Sequence, residues 1–165
     1  MNAIDELNYE YWRRIEGILG KYSATGHGPN TYTADALINV LAMSSIYDEV
    51  IKFLDGKLTS AYRSRMVNKA VGGAASSRHL DGLALDIVPA GSLDVAYAKL
   101  CKHAWHGAGG DSAFGCVRKI IKEPTWIHID WWQPPWVTGG PMEFLRKNAG
   151  GPYIHMDFSE TQVTK

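Results

Sequence analysis

The sequence predicts an α+β domain: helices first, then a small, mainly antiparallel sheet with the helices packed on one side of it. Three observations carry this. Three-to-four spacing of apolar residues dominates the first third of the chain. The second half holds a nearly unbroken apolar run, LALDIV, and an alternating run, TWIHIDWW. The chain has 165 residues, 45% of them apolar, which suits a single domain over residues 1–165 with a core of its own. No segment repeats.

Residues 3–20 read as a helix, with Ile4, Leu7, Tyr11, Ile15 and Ile18 on one stripe and Gly20 as its stop. SATGHGPNTYT reads as a loop. Thr33 caps a second helix running to about Leu54, with Leu37, Leu41 and Val50 on one side, and Asp55-Gly56 turns the chain. Leu58–Tyr62 is a short strand, residues 64–71 a helical turn or two, and VGGAASS a loop. Gly82–Val88 reads as a buried strand and residues 92–106 as a helix broken by GAGGDS. Val117–Lys122 fits strand or helix equally. Glu123-Pro124 is a turn, and Thr125–Trp131 a strand. PMEFLRKN reads as a short helix with Pro near its first position, and Tyr153–Phe158 as a last strand.

Bulk charge narrows the function classes. Lys and Arg number 17 and Asp and Glu 17, so the chain has no basic surplus for a nucleic-acid backbone. No apolar run approaches the ~20 residues of a membrane span. The N-terminus, MNAIDELNYEYWRRIEG, lacks the basic start and apolar stretch of a secretory signal. Synthesis in the cytoplasm is expected, or a signal already removed. Cys101 and Cys116 are too few for a disulfide framework and are expected to be reduced.

The chemistry concentrates in two segments. In SSRHLDGLALDIVP, a strand over residues 82–88 puts Gly82, Ala84 and Asp86 on one face and Leu83, Leu85 and Ile87 on the other. The carboxylate therefore shares its face with the two smallest side chains, which leaves room for an ion and a substrate. An Asp in such a strand is costly to bury unless paired or bound to metal. In TWIHIDWW, Trp126, His128 and Asp130 share one face, and Ile127, Ile129 and Trp131 the other. His79, Asp86 and His128 make a three-ligand zinc set with a fourth position left for water, the pattern of a catalytic site. Other divalent ions fit the same donors.

Ser77-Arg78-His79-Leu80-Asp81-Gly82-Leu83-Ala84-Leu85-Asp86 matches S-x-H-x-x-G-x-A-x-D, and Trp126-Ile127-His128 matches a downstream W-x-H. Upstream, Ala61-Tyr62-Arg63-Ser64 is similar to G-Y-R-S and is followed by Asn68-Lys69-Ala70-Val71-Gly72-Gly73. Together these resemble the zinc D-alanyl-D-alanine carboxypeptidase and murein endopeptidase family, which is related in fold to the hedgehog signalling domain and includes phage endolysins. The resemblance covers roughly residues 34–131. It implies one zinc per chain on His79, Asp86 and His128, and Arg63 as the cation for an oxyanion. It also implies a substrate hydrogen bond from Ser77, whose other reading is a capping residue.

One departure concerns the general base. Many members carry an acid three residues before the last ligand, where this chain has Thr125. Glu123 is the first candidate in its place and Asp130 the second; Asp130 otherwise orients a ligand. Tyr153-Ile154-His155 repeats the Trp126–His128 pattern and offers His155 as a rival third ligand. Cys101, His103, His106 and Cys116 offer a second metal site, or His103 and His106 a place in the cleft. Trp126, Trp131, Trp132 and Trp136 form either a substrate rim or the edge of the core. The expected activity is zinc-dependent cleavage of a peptidoglycan peptide by a monomer, without nucleic acid or membrane insertion. The endolysin reading places it in a host cytoplasm before release to the wall, or on a phage particle. A non-catalytic zinc domain of the same fold is the alternative.

Overall fold

A computed structural model of the chain describes residues 13–23, 27–107, 114–132 and 142–156. Helix α1 occupies residues 13–21. Helix α2 spans Ala34–Phe53, followed by strand β1 (Gly56–Ser60), helix α3 (Arg65–Ala70) and a 3-10 turn at Arg78–Asp81. Strand β2 (Ala84–Pro89), helix α4 (Leu93–Gly107) and strands β3 (Val117–Lys122), β4 (Ile127–Trp131), β5 (Glu143–Lys147) and β6 (Tyr153–His155) complete the order.

Helix α2 begins where a hydroxyl satisfies an end donor: Thr33 Oγ1 accepts from the Ala36 N–H at 3.2 Å. Asp35 in the first turn and Lys52 in the last complement the helix dipole. The buried stripe is Ala36, Val40, Met43, Ile46, Tyr47 and Val50. It differs from the predicted one, since Leu37 and Leu41 are only half-buried. The small Ala36 and the β-branched Val40 let α2 approach the 3-10 turn closely, which rotates the leucines to the flank.

The six strands form one sheet in the order β1-β2-β4-β3-β5-β6. Four neighbouring pairs are antiparallel and β3–β5 is parallel, so the sheet is mixed. Leu85, Ile87, Ile120, Ile127 and Ile129 join the core with residues of α2 and α4. The intervening residues, Asp86, His128 and Asp130, point to the opposite face, as the period of a strand requires.

Two elements correct the sequence reading. PMEFLRKN does not form a helix: residues 143–147 are strand β5, with Phe144 and Leu145 buried. A helix this short is weak alone, whereas the chain here finds a ladder of partners on β3. Gly82 is not a strand residue lining the site. It caps the 3-10 turn at φ +68°, and β2 begins at Ala84. A Cβ at Gly82 would lie 2.6 Å from Val40 Cγ2 and 2.9 Å from the Ala36 carbonyl oxygen. The predicted first helix lies partly in residues 1–12, outside the described residues.

Gly82→Ala is therefore expected to destabilise the fold by about 1–3 kcal/mol, from left-handed strain plus overpacking. Urea unfolding of the two proteins measures this, and equal midpoints would remove the close-approach account.

Candidate metal centre

The antiparallel register of β2 and β4 pairs Asp86 directly with His128 and Ala84 with Asp130. Residues 42 positions apart in sequence thus become cross-strand neighbours on the face away from the core. His79 arrives from the 3-10 turn at Arg78–Asp81. Ser77 caps this turn, its Oγ accepting from the His79 N–H at 3.4 Å. Arg78 clamps the turn to the end of β4 by donating to the Trp131 carbonyl at 3.2 Å and to the Trp132 carbonyl.

Backbone and carboxylate partners set the imidazole tautomers. His79 Nδ1 faces the Ala61 carbonyl, which only accepts, so this nitrogen carries the proton and Nε2 is left with its lone pair. His128 Nε2 lies 3.2 Å from Asp130 Oδ2, which directs Nδ1 inward. His79 Nε2 lies 3.2 Å from His128 Nδ1 and 3.2 Å from Asp86 Oδ1, and His128 Nδ1 lies 2.8 Å from Asp86 Oδ1. Three electron-pair donors from three segments converge on one point. Among the described residues, these three form the group of His, Cys, Asp and Glu side chains able to hold a metal ion. Two imidazole nitrogens and one carboxylate oxygen, with further coordination left open, fit zinc.

Burial opposes ionisation of Asp86, but His79 and His128 hold it well below the usual carboxylate range. Burial also disfavours charge on His79 and lowers its pKa. For His128 burial acts the same way, but hydrogen bonds and charge from Asp130 and Asp86 outweigh it and push the group up to about 9. Asp130 is itself held ionised, against burial, by His128 and by Arg118. Arg118 grips it in a two-point fork at 2.7 and 2.6 Å.

The other site residues fall around this cluster. Arg63 places its Nη2 3.0 Å from His79 Nε2 and against Asp86 Oδ2, and its Nε donates to Ser60 Oγ at 2.7 Å. Arg65 instead lines a neighbouring groove of about 1120 Å³, which meets the metal cleft at Ser76, Ser77 and Arg78. Arg63, Ser77, Glu123, Trp126 and Asp130 all line the metal cleft, whose volume is about 590 Å³. Glu123 is buried, and its carboxylate accepts from Tyr153 at 3.1 Å. Its backbone N–H closes a tight turn onto the Trp126 carbonyl at 3.0 Å. Thr125 sits exposed in that turn.

The rival groupings stay apart. His155 is exposed on β6 and is not part of the cluster. His103 packs against Phe53 in a tilted contact and against Phe114 edge-on, each with ring centroids at 4.5 Å, and does not line the metal cleft. The His106 side chain lies outside the described residues. Cys101 and Cys116 are both buried, and neither forms a disulfide among the described residues. Trp131 is core, Trp126 lines the metal cleft, Trp132 lines the neighbouring groove, and Trp136 lies outside the described residues. Sequence reasoning missed Arg118 and Tyr153. Arg118 stands in the stretch that read equally as strand or helix, so no face was assignable to it. Tyr153 drew notice only as part of the Tyr153–His155 repeat of the Trp126–His128 pattern, which pointed to His155 rather than to the tyrosine.

Two outcomes follow from the electrostatics. A metal must displace the His128 proton below its pKa of about 9. Apparent zinc affinity is expected to rise about tenfold per pH unit up to that point and to level off above it. Calorimetric titration across about pH 6 to 10 reads this, and a flat profile means His128 is neutral before metal binds. Asp130→Asn removes the carboxylate behind His128 and is expected to weaken zinc about 10- to 100-fold. Competition with a chromogenic chelator measures that loss.

No described helix is long and apolar enough to cross a membrane. A search of curated proteins finds no match to the chain. The family described as peptidase M15 matches residues 14–130, more than half of the chain, and this span contains all three candidate metal ligands. The chain belongs to the M15 family of zinc-dependent peptidases.

Proposed function

We propose that this metallopeptidase hydrolyses an amide bond in peptidoglycan stem peptides or their crosslinks, in the manner of an endolysin-type murein peptidase. One observation carries the reading. His79, Asp86 and His128 converge at one cleft that also contains the Arg63 guanidinium and the buried Glu123 carboxylate. The likeness of the Ser77–Asp86 and Trp126–His128 motifs to murein peptidases supports the substrate class.

His79 Nε2, His128 Nδ1 and one Asp86 oxygen would hold the zinc. The chemistry that zinc would supply at these ligands is that of a Lewis acid, which would polarise a scissile carbonyl and make a water more acidic. The protein's own groups supply the remainder. Arg63, fixed by Ser60 and Asp86, offers a cation to the oxygen that becomes negative as the carbonyl is attacked. Glu123 takes a proton from the attacking water and returns it to the leaving amine. Asp130, locked by Arg118, keeps His128 in its ligand tautomer and orientation. Ser77 lines the cleft while its hydroxyl caps the turn that carries His79.

Digestion of purified peptidoglycan with and without a chelator, followed by mass spectrometry, tests this reading. New amino termini that vanish with chelator and return with zinc are expected, and they name the bond cut. Glu123→Gln is expected to lower turnover about a hundredfold or more with zinc content unchanged. Intact peptides across several wall chemistries, from zinc-loaded protein, would instead mark a non-catalytic zinc domain.

A further inference from the structure

We propose that Tyr153 is a positioning residue that holds the Glu123 carboxylate in the cleft, so that β5 and β6 complete the active site. The inference rests on the reading of Glu123 as the general base. It concerns a part of the chain outside residues 14–130, the span matched by the peptidase family.

Glu123 follows the last residue of β3 and belongs to a turn rather than a ladder. Its side chain has three rotatable bonds and stands buried at 7% exposure. A buried carboxylate without donors is costly, and one without a fixed partner samples several rotamers. Among the described residues, the hydrogen bond to this carboxylate comes from the Tyr153 hydroxyl, at 3.1 Å to Oε1. The ordering of the catalytic carboxylate thus falls to a phenol 30 residues downstream.

Strand register delivers that phenol. Lys122 pairs with Arg146 on β5, and Arg146 pairs with Ile154 on β6. One position further along, Glu123, Lys147 and Tyr153 lie in a row on the cleft face, and all three line the cleft. Lys147 adds a second contact to this tyrosine: its Nζ stands 4.7 Å from the Tyr153 ring centroid and donates to the hydroxyl at 3.5 Å. The Tyr153 ring is 48% exposed, so it adds little to the core. Its defined contacts are polar ones directed at Glu123 and Lys147.

The test uses the full zinc-loaded chain and a soluble murein peptide, with kcat and KM measured separately. Tyr153→Phe keeps the ring and removes only the hydroxyl. It is expected to lower kcat about tenfold, the weight of a hydrogen bond to a charged group, with KM and zinc content unchanged. In a Glu123→Gln background the same change is expected to have no further effect, because the two residues act as a unit. Wild-type kcat in Tyr153→Phe, beside an inactive Glu123→Gln, overturns the inference and leaves the base reading intact. An equal loss in both backgrounds also overturns it, since the hydroxyl would then act by another route. Full activity in Glu123→Gln, or no hydrolysis by the wild-type protein, removes the base reading and this inference with it.

Discussion

The pairing of β2 with β4 is the constraint on which the site depends. In this register Asp86 faces His128, and a slip of one residue in either strand would turn its polar residue into the core and leave the two on opposite faces. What prevents the slip is the other face. Leu85, Ile87, Ile127 and Ile129 are all fully buried against α2 and α4. Each such side chain contributes roughly 1.5–3 kcal/mol by leaving water. The apolar face therefore sets the geometry of the polar one, and no ligand is needed to choose the register.

The third ligand has no strand to hold it, and the chain compensates with a dense set of local restraints. The Arg63 N–H donates to the His79 carbonyl at 3.0 Å while the Ala61 carbonyl takes the ring proton. Gly82 reverses the chain in the left-handed region, where a side chain would strike Val40, and the Tyr47 hydroxyl donates to its carbonyl. Packing of α2 is thus coupled to the direction of the His79 ring. A catalytic turn on 3-10 geometry is defined by its neighbours more than by its own hydrogen bonds.

Charge is balanced locally as well as over the whole chain. Asp86 meets Arg63 and both imidazoles, and Asp130 meets Arg118 and His128. Each buried carboxylate in these ion pairs has a cationic or imidazole partner, as burial of charge requires. The arrangement orders the histidines in tautomers that offer one nitrogen each to the same point. It also gives His128 two acidic neighbours, which couples metal capture to proton release.

The two-faced character of β2 and β4 was legible in the sequence, and the motif resemblance pointed to the His79, Asp86 and His128 side chains that the structure brings together beside Arg63. The strand residues among them, Asp86 and His128, lie in short motifs with period-two alternation, and a strand's faces follow from covalent geometry alone. Thr33 as a cap was legible for similar local reasons. The stripe of α2 was not, because several stripes of that sequence are apolar and only the approach to Gly82 selects one. Strand β5 was not, because its identity comes from a parallel partner supplied by β3, and local propensity favoured a helix. Arg118 and Tyr153 stayed hidden for the same reason: their partners, Asp130 and Glu123, are set by cross-strand register rather than by sequence neighbours. The sequence by itself determined which side chains bring chemistry, since donor type and face are local properties. Only the tertiary structure decided which groups hold and orient them, because strand order and register are settled by burial across the whole sheet.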